Sequence, residues 1–231
     1  FGKLLKLPLT YGLGEQTDAS FPEMVAHAKS ILSVSVAEGF GLGFLEPWTF
    51  GKGLGGRNLP DVTSDFSELG VSLANLYDWL PVPLDCISSV TQLKKTLQSA
   101  LEEFYLSYQQ DLPQDGAEIA FQSMVSNDSI DFGRLDEPNQ QTIIRAVANS
   151  PDLQLGIQRH AGLEALNKEI IDCNRKAVAE QFSLSSYAHR TLKIYHELLH
   201  TEDNHGCQFA NGQLLLDQYL SPARLNLLRT S

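Results

Sequence analysis

Glu38 and Glu46 stand with seven residues between them, in a run that reads Ser35-Val36-Ala37-Glu38-Gly39-Phe40-Gly41-Leu42-Gly43-Phe44-Leu45-Glu46. The preceding residues 31–36, Ile-Leu-Ser-Val-Ser-Val, are short and β-branched, the pattern of a buried parallel strand. Gly39, Gly41 and Gly43 let the backbone turn tightly and approach a ligand, and a helix beginning after them would aim free N–H groups and its positive end at that ligand. An anion is the expected guest. Glu38 falls at the strand's carboxyl end, the ligand edge of an open α/β sheet, and Glu46 about one turn into the helix. Two carboxylates flanking one crevice accept hydrogen bonds from hydroxyl groups. A second pattern, His196-Glu197-Leu198-Leu199-His200, places two histidines one helical turn apart with a glutamate between them. That is the arrangement of a zinc hydrolase, with the glutamate as general base. Its third ligand would have to come from Glu202, Asp203, His205 or Asp217.

The glutamate constellation resembles the Glu-x7-Glu motif of retaining, nucleotide-sugar-dependent glycosyltransferases of the GT-B fold, family 4 above all. Around it, Phe21-Pro22-Glu23-Met24-Val25-Ala26-His27-Ala28 resembles the short helix before the motif strand. Glu46-Pro47-Trp48-Thr49-Phe50-Gly51-Lys52-Gly53-Leu54-Gly55-Gly56-Arg57 resembles the motif helix, glycine turn and next strand. Residues 182–188, with Leu192, Tyr195, Leu198 and Leu199, look like that family's long C-terminal crossover helix. The resemblance implies a donor-binding site in which Glu38 contacts the sugar hydroxyls and Glu46 the nucleotide ribose. Main-chain amides at Gly39, Phe40, Gly41 and Leu42 would hold the sugar and diphosphate. It implies a nucleotide diphosphate sugar as donor substrate, an acceptor hydroxyl of unknown identity, no cofactor and no metal. The family's basic pair that neutralises the diphosphate lies upstream of the motif and is not carried over to Lys3 or Lys6. An N-terminal GT-B domain would be a missing partner, so the chain is expected to be a fragment.

Composition narrows the alternatives. The net charge of −11, from 17 Lys and Arg against 28 Asp and Glu, opposes nucleic-acid binding. No run of 18 apolar residues exists to span a membrane, and a cytoplasmic location is the default expectation. Cys86, Cys173 and Cys207 are odd in number and far apart, so neither a disulfide framework nor a structural zinc site is indicated.

The elements that must position these groups read as an α/β portion over residues 1–89 and a helical region over 90–231. The fold expected is a partial Rossmann-like, donor-binding half of a GT-B fold followed by a mostly α-helical C-terminal region. Strands are predicted at 4–9, 31–36 and 52–56, with 58–89 irregular. Arg57 and Asp65 are candidates to line the crevice. Trp48, Phe50, Phe40 and Phe44 could stack on a base, although rings at helical spacing more often pack in a core. Apolar residues at three-to-four spacing predict a helix of about 20 residues from Val90. Further helices are predicted at 116–125, 138–149, 151–158, 160–181, 184–200 and 212–219, with Ser183 as an N-cap. Two other functions stay open: a non-catalytic, GT-B-like binding or regulatory domain, and the zinc hydrolase.

Overall fold

The computed structural model describes residues 1–161, 166–200, 210–226 and 228. In chain order its elements are α1 (Leu13–Gln16), α2 (Phe21–His27), β1 (Ser30–Ser33), α3 (Glu46–Thr49), β2 (Gly53–Gly56), α4 (Pro60–Glu68), β3 (Pro81–Pro83), α5 (Val90–Ser107), α6 (Gly116–Ser123), β4 (Val125–Ser126), β5 (Ser129–Asp131), α7 (Glu137–Ala148), α8 (Pro151–Ala161), α9 (Lys168–Gln181), α10 (Leu184–His200) and α11 (Gly212–Tyr219). The architecture is mixed α/β and dominated by helix. Contacts divide it into two units, Phe1–Asp78 with Ala161–Arg190, and Trp79–His160 with Thr191–Ser231. The expected division at residue 89 therefore falls earlier in the chain, and residues 161–190 return to the first unit.

In the first unit β1 and β2 pair in parallel, Ile31 opposite Leu54 and Ser33 opposite Gly56. The pairing runs on through Arg57, whose N–H donates to Ser33 O at 2.9 Å and which forms a parallel bridge to Tyr77. A core of Phe44, Leu45, Trp48, Leu54, Phe66, Val71, Leu73 and Val178 lies against this pair. Asn174 on α9, fully buried, binds both main-chain groups of Ser72 at 2.8 Å, accepting from its N–H and donating to its carbonyl. One side chain thus stands in for a strand neighbour across 102 residues of sequence. Ser20 and Glu23 form a capping box at the start of α2.

Three strand and loop expectations are corrected here. Residues 4–9 are not a strand: they coil in turns, with Leu5 N–H to Phe1 O at 3.1 Å, Leu7 N–H to Gly2 O at 3.0 Å and Lys6 at φ 53. Among the described residues no neighbouring strand covers this segment, and Leu4 and Leu9 are exposed. The strand predicted over 31–36 stops at Ser33, because its partner leaves the ladder after Arg57 toward Pro60. Residues 58–89 are not irregular but hold α4, with Pro60 in its first turn and Thr63 and Phe66 buried, and then β3. The Leu59, Val62 and Phe66 spacing carried that helix, and the polar residues around it masked the pattern.

In the second unit β3, β5 and β4 form an antiparallel sheet in that order. Asn127 and Asp128, both at positive φ (47 and 58), make the two-residue turn between β4 and β5, the pair of left-handed residues that a tight hairpin requires. The helix predicted from Val90 is α5. Its Leu93, Leu97, Leu101 and Tyr105 are buried in one stripe, and Ser89 caps it by accepting from Gln92 N–H at 3.1 Å. They pack with Ile130, Met124, Phe121, Leu135, Ile143 and Leu220 into a second core. Arg134 donates to Ser123 O and Oγ and to the carbonyls of Ala223 and Leu225, which ties the end of α6 to the C-terminal segment. Among the described residues no helix is long and apolar enough to cross a membrane.

Candidate functional site

The segment from Val34 to Gly41 leaves the carboxyl end of β1 without regular structure, and a single 3-10 turn, Leu42–Phe44, leads into α3. The helix expected after the glycines is thus two short pieces, and Glu46 is the first residue of α3 rather than one turn inside it. Pro47 explains the break. A continuous helix from Leu42 would need an N–H at position 47 for Gly43 O, and proline has none.

Gly41 is the pivot of this stretch. Its φ of 67 is left-handed, and a Cβ there would stand 2.4 Å from Val62 Cγ1 and 3.1 Å from Phe66 Cε2 on α4. Only glycine seats the turn this close to the core. Gly39 and Gly43, by contrast, have no heavy atom within 4 Å of the place a Cβ would take. The loop is therefore pinned at one glycine and bare on either side of it. Behind it Trp48 and Phe44 are fully buried, and Trp48 Nε1–H donates to Phe44 O at 2.8 Å. These two rings are core, as their helical spacing suggests, and not a base-stacking surface. Phe40 is 88 % exposed, and Phe50 is also exposed.

Glu38 is exposed and accepts the hydroxyl of Ser35 at 2.6 Å. That bond fixes one carboxylate oxygen and leaves the lone pairs of the other for a guest hydroxyl. Glu46 is exposed at the start of α3. Among the described residues, the main-chain N–H groups of Gly39, Phe40, Gly41 and Leu42 meet no protein acceptor. Gly39, Phe40 and Leu42 face solvent, while Gly41 is buried. Lys52 Nζ donates to Ala26 O at 2.6 Å, which ties α2 to the start of β2.

The other candidates are placed as follows. Arg57 is buried in the extended segment after β2, and Asp65 is exposed on α4. A cleft of about 240 Å³ lies over the strand pair, lined by Ser30, Ile31, Leu32, Gly53, Gly55 and Leu166 among others, and none of the candidate donor-binding residues lines it. His196 and His200 are exposed on α10, where Glu197 pairs with Lys193 at 3.8 Å, one turn back. Glu202, Asp203 and His205 lie outside the described residues. Among the described residues, no three His, Cys, Asp or Glu side chains are grouped to hold a metal ion. Two features escaped sequence reasoning: the Ser35 partner of Glu38, signalled by its three-residue spacing, and the packing of α4 beneath Gly41.

Compared with known proteins, the chain matches no family model, no curated protein and no solved structure.

Proposed function

We propose that the loop from Glu38 to Glu46 binds the donor of a retaining glycosyltransferase, a nucleotide diphosphate sugar. In this reading the first unit is the donor-binding portion of a Rossmann-like, GT-B-type fold, and the hexosyl group passes to an acceptor hydroxyl with its configuration kept. One observation carries the reading: four consecutive main-chain donors, at positions 39–42, have no protein acceptor among the described residues and lie between two exposed carboxylates at the carboxyl end of a parallel strand. The donors suit a diphosphate, and the carboxylates suit the hydroxyls of its sugar and ribose. Glu38, held by Ser35, orients the sugar. The main-chain dipoles stabilise charge developing on the departing diphosphate, a preorganised electrostatic contribution.

A thermal-shift titration with UDP, GDP and ADP and their glucose conjugates tests it. A ligand at a hundred times its dissociation constant adds about 2.7 kcal/mol, which at about 2–4 °C per kcal/mol is a rise of roughly 5–10 °C. Glu38→Ala should keep the free protein's melting temperature and lose most of the rise with the sugar conjugates. Normal binding by that variant, or no shift with any nucleotide sugar on a folded sample, would refute the assignment.

A further inference from the structure

Four rings near the two glutamates carry the flat apolar faces on which a nucleobase stacks, and the fold disposes of them unequally. Phe44 and Trp48 are fully buried, whereas Phe40 and Phe50 are exposed, at 88 % and 38 %, and belong to the packing of neither core. From residue 44 to residue 50 burial follows the helical turn: Phe44, Leu45, Pro47 and Trp48 face the core, while Glu46, Thr49 and Phe50 face outward. Phe50 ends α3 and keeps its turn, since its N–H donates to Pro47 O at 3.2 Å. Glu46 and Phe50 are four residues apart, and side chains at that helical spacing stand beside each other, with about 5–6 Å between Cβ atoms. The ground next to the ring is clear. Gly51, left-handed at φ 65, has no heavy atom within 4 Å of the place a Cβ would take.

We propose that the ring of Phe50 is the platform on which the nucleobase of the bound nucleotide stacks. The inference rests on the donor reading above, in which Glu38 takes the transferred sugar, positions 39–42 the diphosphate and Glu46 the ribose. In a nucleotide the base is carried on the ribose carbon next to the 2′-hydroxyl. A carboxylate that accepts from the ribose hydroxyls therefore has the base about one ribose width away, which is the offset of Phe50 from Glu46 on the outward side of α3. Phe40 stands at the other end of that order, two residues from Glu38 and beside the sugar. Phe50 is then the exposed ring within reach of the base. A stacked base is held by its face and not by its edge, and every base has such a face, so the ring contributes to uridine, guanosine and adenosine nucleotides alike.

Isothermal titration of the full chain with UDP, GDP and ADP and with their glucose conjugates tests it. For every nucleotide that the parent binds, Phe50→Ala should weaken the bare nucleotide and its conjugate by the same factor, from about 5-fold to about 150-fold, which is the 1–3 kcal/mol of one stacked base. Glu38→Ala, which acts on the sugar, should instead weaken the conjugate more than the bare nucleotide. Phe50→Trp should hold the affinity within about 5-fold of the parent, and its new indole should lose emission as a base stacks on it. Phe50 is exposed, so both variants should unfold in urea at the parent's midpoint, which separates lost stacking from a lost fold. A loss under about 5-fold in Phe50→Ala, a loss confined to the conjugates, or a loss that follows Phe40→Ala and spares Phe50→Ala would overturn the inference and leave the donor reading standing. A folded parent that binds none of these ligands would remove the donor reading itself, and this inference with it.

Discussion

Gly41 is the residue on which the loop from Glu38 to Glu46 turns, and replacing it with alanine measures how firmly that loop is held. An alanine at φ 67 costs about 1–2 kcal/mol for the left-handed backbone. The new methyl also meets Val62 Cγ1 at 2.4 Å and Phe66 Cε2 at 3.1 Å. Val62 is β-branched and stiff, so the clash is relieved by moving backbone or ring, at roughly 1–3 kcal/mol for overpacking. The lower entropy of an unfolded chain with alanine returns about 0.4–1 kcal/mol. The expected net loss is about 2–4 kcal/mol. Gly43→Ala is the internal control, since nothing lies within 4 Å of its Cβ position, and it should stay within about 0.5 kcal/mol of the parent. Urea unfolding of both variants, followed by the fluorescence of buried Trp48, gives the comparison. Equal midpoints for the two would refute the claim that α4 pins the loop at Gly41.

Three further outcomes follow from the packing. Asn174→Ala should lose about 2–4 kcal/mol in urea unfolding, because it empties a fully buried site and strips both main-chain partners from Ser72. Asn174→Asp keeps the acceptor for Ser72 N–H but turns a second oxygen toward Ser72 O, so it should recover no more than part of that loss near neutral pH and more of it in acid. Burial, and to a lesser degree the charge of Asp217, pushes the Tyr105 phenol above its ordinary range, and its hydroxyl donates to Leu220 O. A raised phenol stabilises the fold fully below the unfolded value of about 10 and loses that contribution as pH rises through the folded value. Stability measured from pH 8 to 11 should therefore fall more steeply in the parent than in Tyr105→Phe.

The sequence made the local chemistry legible where one residue type has one conformational use. Gly41 and Pro47 are such residues, although Pro47 cut the helix shorter than a reading of apolar spacing suggests. The long stripe of α5 was visible because Leu93, Leu97, Leu101 and Tyr105 repeat at helical spacing without interruption. Residues 4–9 misled because strand propensity is realised only beside a partner, and among the described residues none lies there. The Asn127-Asp128 hairpin and the Asn174 bridge were illegible for another reason. Each depends on what a short polar side chain meets far away or on a pair of left-handed residues, and neither leaves a periodic trace. At the candidate site, the two glutamates and the glycines between them were readable, while the support beneath them from α4 emerged only with the fold.

In the proposed function, the main chain at Gly39, Phe40, Gly41 and Leu42 receives a sugar-linked diphosphate. Backbone amide shifts recorded by NMR during titration with UDP-, GDP- and ADP-glucose test it at those atoms. For at least one of the three donors, the amides of residues 39–42 should move together and saturate, with Glu38→Ala weakening the conjugate more than the bare nucleotide. Saturable binding that shifts other residues and leaves these four amides in place would contradict it, as would silence from all three donors.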